Sequence, residues 1–267
     1  MDIGSVTGIY QKYIFYILSV LFIALILLLA LNLRKIKKVF AKISKKSWFF
    51  LLSIFILGLI VRFFVFPHLH YVYDDEPMIL EFAKNMNQEG QPRVCSYTGI
   101  SSTSCYIILK PMGWPFLISI LFFFTGLSNY AVFYLGSFFG SLSIILIFMF
   151  SYLLFKNEKI ALWSSLLYAF TPLNIIWSNT AQDNSVSVFF ILLTLILFLI
   201  YLKIRGIYLF FTSIICFIFT FFVRFENVIL AVMLIVLYLI YYKKEKHNLI
   251  SKRIYQLFPI IVILIVF

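Results

Sequence analysis

The chain has 267 residues, of which 63% are hydrophobic and 12% charged. A soluble domain carries roughly 25% charged residues, so this chain lacks the polar material to cover a water-facing surface and reads as an all-α polytopic membrane protein. A formal charge of +12 would suit nucleic acid, but the bases sit in short loops between apolar runs, which excludes that class of partner. Three cysteines are too few for a dense disulfide or metal framework. Cys95 and Cys105 share one polar loop and can pair where that loop faces an oxidising space, whereas Cys216 lies inside an apolar run.

The first apolar run covers about 10–33. It is long, has a weakly charged front, and is followed by bases rather than a small-residue cleavage site, so it reads as a span and not a signal peptide. The segment from Arg34 to Lys46 is strongly basic and is assigned to the cytoplasm. The next run, 48–66, then crosses outward. Arg62, about one turn from its end, is expected to reach out to the interface. Residues 67–129 follow as a large extracytoplasmic loop.

That loop opens on Asp74, Asp75 and Glu76. Three adjacent carboxylates repel one another and are costly to desolvate, so in a chain this oily they mark a functional candidate. Pro77 suits the first turn of a helix, where its missing N–H costs nothing, and Asp74 or Asp75 suits the cap before it. Ile79, Leu80, Phe82, Ala83 and Met86 give a surface helix over 77–89 its apolar face. Gly90 to Pro92 stops that helix, and 91–106 is polar and turn-rich. The run 113–125 is too short to cross a bilayer, so it is expected to be interfacial or re-entrant. Trp114 at its start is expected at the lipid interface.

Further spans are predicted over 130–154, 160–178, 184–202, 207–223, 227–242 and 254–267. With 113–125 not crossing, the bases of 34–46 share the cytoplasmic side with Lys156, Lys159, Lys203, Arg205, Lys243, Lys244, Lys246, Lys252 and Arg253. That leaves only a minority of the 22 bases elsewhere. The same count puts Asp183, and Arg224 with Glu226, on the outer face with Asp75. The chain divides into 1–47, a first span and its basic loop, and 48–267, the main transmembrane domain with 67–129 as its outer loop.

The order of these motifs resembles the GT-C membrane glycosyltransferases that use lipid-linked sugars, in particular the protein O-mannosyltransferase and aminoarabinose-transferase-like group. Asp75-Glu76, followed by Leu80 and Ala83, resembles that group's Asp-Glu motif and its helix. Lys110-Pro111-Met112-Gly113-Trp114-Pro115 resembles its proline-aromatic approach to an interfacial helix. Gly126 with Tyr130 to Gly140 resembles the small-residue start of the next span, and Ala169-Phe170-Thr171-Pro172 the helix-ending proline of a later one. Thr180-Ala181-Gln182-Asp183 resembles the second acidic site, and Arg224-Phe225-Glu226 the basic-plus-acidic element that follows. The likeness covers about 48–245. The span 10–33 stands as an addition. The chain has about half the group's usual length, so it is expected to be an N-terminal part, with a GT-C-like helical bundle incomplete at its C-terminal end.

The resemblance implies an inverting transfer of a sugar from a polyprenyl-phosphate-linked donor to a hydroxyl of a protein, lipid or glycan acceptor at the extracytoplasmic face of the cell membrane. It implies Asp75 as the base that takes the acceptor proton, Glu76 as an orienting or helix-start group, and Asp74 as an additional acid. A leaving phosphate calls for positive charge at the membrane surface. Arg224 is the strongest candidate for it, with Lys110 and Arg93 behind. Asp183 is a candidate to orient the acceptor, to position Asp75, or to share a divalent Mg or Mn ion with it, although nothing in the spacing requires a metal. His68 and His70 flank the same loop. Two other classes remain open on the residues alone: a transporter with Asp183 and Arg224 along its path, and a non-catalytic membrane assembly partner.

Overall fold

The computed structural model describes residues 3–68, 70, 75–98, 102–106 and 110–244. The protein is a multi-pass membrane bundle of α-helices. Its first helix, α1 (Ile3–Phe40), leads through a short turn to α2 (Lys45–Ile60), which widens into a π-helical turn at Val61–Val65. On the outer-loop side follow α3 (Asp75–Glu89), a hairpin of β1 (Val94–Thr98) and β2 (Ser102–Tyr106), and α4 (Gly113–Thr125). The bundle continues with α5 (Asn129–Phe155), α6 (Glu158–Phe170), α7 (Pro172–Ser178), α8 (Asn184–Ile204) and α9 (Ile207–Val223). A 3₁₀ turn (Phe225–Val228) then opens α10 (Ile229–Lys244). Among the described residues, four stretches are long and apolar enough to cross a membrane: Tyr13–Phe40, Lys45–Val65, Asn129–Phe155 and Asn184–Ile204. A fifth is the pair α6–α7, bent by 59°. The expected span 254–267 and Asp74 lie outside the described residues.

Local chemistry sets the boundaries. The Ser44 hydroxyl accepts from Ser47 N at 3.2 Å at the start of α2, and Asn157 Oδ1 accepts from Lys159 N at 2.9 Å at the start of α6. Both are N-cap residues that satisfy donors no helical turn can reach. Pro172 ends α6 but stands at the first position of α7, where its fixed φ is already helical. One predicted span therefore becomes two helices with a sharp bend. The outer-loop helix begins at Asp75, two residues before the expected start, so Asp75 and Glu76 both lie in its first turn. Carboxylates are favoured there by the helix dipole. Within the polar loop the chain pairs as an antiparallel hairpin, with Cys95 opposite Cys105 in the register.

The core forms two apolar clusters stacked along the bundle. One gathers Phe40, Leu51, Phe148, Leu195, Leu202 and Phe217 near the basic loops. The other gathers Phe82, Trp114, Phe116, Val186, Phe219 and Val223 at the opposite end. Of the apolar window of α8, 72% is buried within the protein, against 17% for those of α1 and α2, so α8 is the central post and the other two meet lipid. Nevertheless α1 is fastened to the bundle, with Asn32 donating to the Thr212 hydroxyl of α9 at 3.0 Å.

Two expectations are corrected here. Arg62 is fully buried and does not reach outward. Its Nη1 donates to Gly58 O and to Ala169 O, both at 3.1 Å. Ala169 lies in the last turn of α6, where carbonyls lack helical partners and a cation is favoured. Trp114 is also fully buried, and its indole donates to Ala181 O at 2.8 Å. A hydrogen-bonded indole sits in a core as readily as at an interface. The short helix α4 is accordingly buried from Gly113 to Ser119, against α3 and α9, and only its far end, at Phe123 and Phe124, is exposed.

Close backbone approach fixes the outer end of α5. A Cβ on Gly136 would stand 2.9 Å from Ser178 O and 3.2 Å from Thr180 O. Between helices in lipid, small residues permit this contact and dispersion rewards it. Gly136→Val is expected to cost about 1–3 kcal/mol through overpacking, read as a lower melting temperature of the detergent-purified protein. An unchanged melting temperature would mean that the α5 contact with the α7–α8 loop does not form.

Candidate functional site

The end of the bundle remote from the basic loops carries a cleft of about 170 Å³. Four chain segments meet in it. The first turn of α3 supplies Asp75, the approach to α4 supplies Lys110, and the ends of α8 and α9 supply Asp183, Arg224 and Glu226. Phe82 and Trp114 form its apolar floor. The sequence places these groups far apart, and the fold brings Asp75, Asp183, Arg224 and Lys110 together as expected from their common face.

Charges in the cleft are paired. Lys110 Nζ donates to Asp75 Oδ1. Arg224 lies 3.7 Å from Asp183 Oδ1 and 3.3 Å from Glu226 Oε2, and its Nη1 donates to Asn184 Oδ1 at 2.5 Å. Asp183 does not cap α8 with its side chain. Burial pushes its carboxyl above the usual aspartate range. Arg224 opposes that shift, while Glu226 and Asp75 add to it. Asp75 is half exposed at the rim and faces the space.

Glu76 faces the other way. It is 1% exposed, and its Oε1 accepts from Ala181 N at 2.7 Å. Its second oxygen lies 3.3 Å from His70 Nδ1. Glu76 thus braces the loop that carries Asp183 and does not line the cleft. Arg93 is also remote from the cleft, donating to Gln91 Oε1 at 2.5 Å and lying 3.8 Å from Glu89. His68 sits 3.5 Å from the Ser137 hydroxyl, and burial pushes its imidazole below the usual range. Asp74 is outside the described residues. Trp114 is a positioning group that sequence reasoning missed, and Glu76, a candidate orienting group in the sequence, turns away from the cleft. The signal was present in their apolar surroundings, but not their direction.

Among the described residues the cleft offers a hard divalent ion two carboxylates, Asp75 and Asp183. Such an ion takes six or more oxygen ligands, or several waters with one or two carboxylates. Here Asp75 and Asp183 each have a base against the carboxylate, and among the described residues no three metal-ligating side chains gather.

The fold and cleft define a polytopic membrane protein with a cleft of paired acidic and basic side chains at one end of its bundle. Residues 109–267 match the family model described as dolichyl-phosphate-mannose-protein mannosyltransferase, which is more than half of the chain, and the chain belongs to that family. The matched region holds Lys110, Asp183 and Arg224 and begins after Asp75. No curated protein matches the chain.

The raised Asp183 gives a signed pH dependence. The folded protein holds this proton more tightly than the unfolded chain, so the contribution to stability is fully present at low pH. It falls as pH climbs above the ordinary value of 3.8 towards the raised one. Asp183→Asn is expected to remove this descending part from a melting-temperature profile over about pH 4–8. A mutant profile parallel to wild type would overturn the assignment.

Proposed function

We propose that this protein transfers a sugar from a polyprenyl-phosphate-linked donor to an acceptor hydroxyl, with inversion at the anomeric carbon. The family supports a glycosyltransferase. The observation that carries the reading is the cleft that unites Asp75, Lys110, Asp183 and Arg224. Mannose, the sugar in the family's description, is the first to test.

Asp75 takes the acceptor proton as the hydroxyl oxygen attacks the anomeric carbon. The bond from that carbon to the phosphate oxygen breaks, and the phosphate leaves with the electron pair. Lys110 and Arg224 stabilise the charge that develops on it. Asp183 holds Arg224 in place. Glu76, which the resemblance made a candidate for the chemistry, acts as a positioning residue through Ala181.

Asp75→Asn is expected to lower transfer of labelled mannose from a short-chain polyprenyl phosphate by about 10²–10⁴-fold, with membrane insertion and abundance unchanged. Transfer at the wild-type rate would remove Asp75 from the role of base. Arg224→Gln is expected to lower kcat more than it raises the donor KM, since its charge is needed most in the transition state.

The reading also requires the cleft to face away from the cytoplasm, where the basic loops are placed. Facing Cα atoms in an antiparallel ladder lie about 4.5–5.5 Å apart, within disulfide range. In an oxidising compartment Cys95 and Cys105 are therefore expected to resist maleimide labelling until reduced. Ready labelling of both in membranes isolated without reductant would argue for the opposite orientation.

A further inference from the structure

The basic end of the bundle, opposite the cleft, carries an open groove of about 530 Å³. It runs between the starts of α2 and α6. Lys46 and Phe50 line it from α2, and Glu158, Lys159 and Leu162 from α6. The geometry points to a binding site for an anionic phospholipid of the leaflet at that end. Its phosphate lies between Lys46 and Lys159, and the root of its acyl chains runs along Phe50 and Leu162.

The groove stands where a lipid enters from the side. The span that contains α2 begins at Lys45, and only 17% of its apolar window is buried within the protein. Phe50 on α2 and Trp163 on α6 are both exposed. Tryptophan favours the headgroup level of a bilayer, so the groove opens at the depth where a phosphate meets its acyl chains.

The charges select the headgroup. Among the described residues neither Lys46 nor Lys159 has a carboxylate partner. The Lys46 ammonium lies 5.9 Å from the centre of the Phe50 ring, which joins charge and apolar wall in one patch. Glu158 is the acid of the lining, and its oxygens are engaged. Oε1 accepts from Ser44 N at 3.0 Å, and Oε2 accepts from the Ser44 and Ser47 hydroxyls. These bonds fasten the two helix starts together and leave the lysines as the open charges of the groove. Next to Asn157, burial and the like charge of Lys203 hold the Lys156 ammonium below its usual range. Bases therefore crowd this end, and an anionic headgroup relieves them. The cation of a zwitterionic headgroup would instead be set against the same lysines.

Basic loops attract anionic lipid in general, whereas a groove with fixed walls holds one lipid at named residues. Native mass spectrometry of the full 267-residue chain separates the two, with dioleoyl phosphatidylglycerol and dioleoyl phosphatidylcholine as probes. Wild type is expected to bind its first phosphatidylglycerol about 10–30-fold more tightly than its first phosphatidylcholine, the effect of two bases near a charged lipid. Lys46→Gln with Lys159→Gln is expected to abolish that preference. Lys37→Gln with Lys38→Gln removes the same charge from the exposed end of α1 and is expected to keep it. So is Lys46→Arg with Lys159→Arg, which guards against a loss that comes from misfolding. Equal affinity of wild type for the two lipids would overturn the proposal. So would equal losses in the two glutamine pairs, which would mark a diffuse attraction. Displacement of the bound lipid by glycerol phosphate would mark a site for soluble phosphate and would overturn it too.

Discussion

The cleft end of this bundle depends on the backbone of one residue. The Ala181 N–H donates to buried Glu76, and the Ala181 carbonyl accepts from buried Trp114. Those partners come from the outer loop and from α4, so the two bonds tie both to the α7–α8 turn. A carboxylate this deep is costly unless its oxygens are satisfied, and Glu76 uses one oxygen for Ala181 and the other for His70. Asp183 follows two residues later. The position of the most perturbed acid in the cleft is therefore set by a neighbour of Asp75 that never enters the cleft.

Backbone contact surrounds this clamp. Asn179 donates to Phe66 O at 3.2 Å and accepts from Ser137 at 2.9 Å, which joins the exit of α2 to α5. Gly136 lets α5 approach the same turn. Gly113 does the equivalent for α4, since a Cβ there would stand 2.7 Å from Val223 N, next to Arg224. Lipid gives no hydrophobic drive to pull helices together, so the bundle relies on close packing and polar contacts of this kind. Both halves of the cleft, the Asp75–Lys110 side and the Asp183–Arg224 side, inherit their spacing from it.

Four of the predicted spans, 10–33, 48–66, 130–154 and 184–202, and the common face of Asp75, Asp183 and Arg224 were legible in the sequence, because long apolar runs and charge in an oily chain are strong signals, whereas 207–223 and 227–242 form shorter apolar helices. Direction was not. Adjacent helical residues diverge by about 100°, so in one turn Asp75 meets the cleft while Glu76 meets the core, and an acidic run cannot say which is which. Trp114 at the start of an apolar run gives the same signal whether it faces lipid or protein. Arg62 was misread for a related reason: its partners are the carbonyls of Gly58 and Ala169, and a backbone acceptor freed by a helix end leaves no residue type to recognise. Pro172 marked a helix end, but not that a second helix resumes at a 59° bend.

The charge balance of the cleft bears on how it could admit a phosphate. Asp75, Asp183 and Glu226 stand against Lys110 and Arg224. With all five ionised the cleft holds an excess of negative charge, which opposes an anionic donor. Glu226 is largely exposed, so water screens it, and Asp75 sits at an open rim against Lys110. Asp183 is mostly enclosed, and burial already disfavours its charge. On the sugar-transfer reading, protonation of Asp183 would loosen its hold on Arg224 and free that guanidinium for the phosphate.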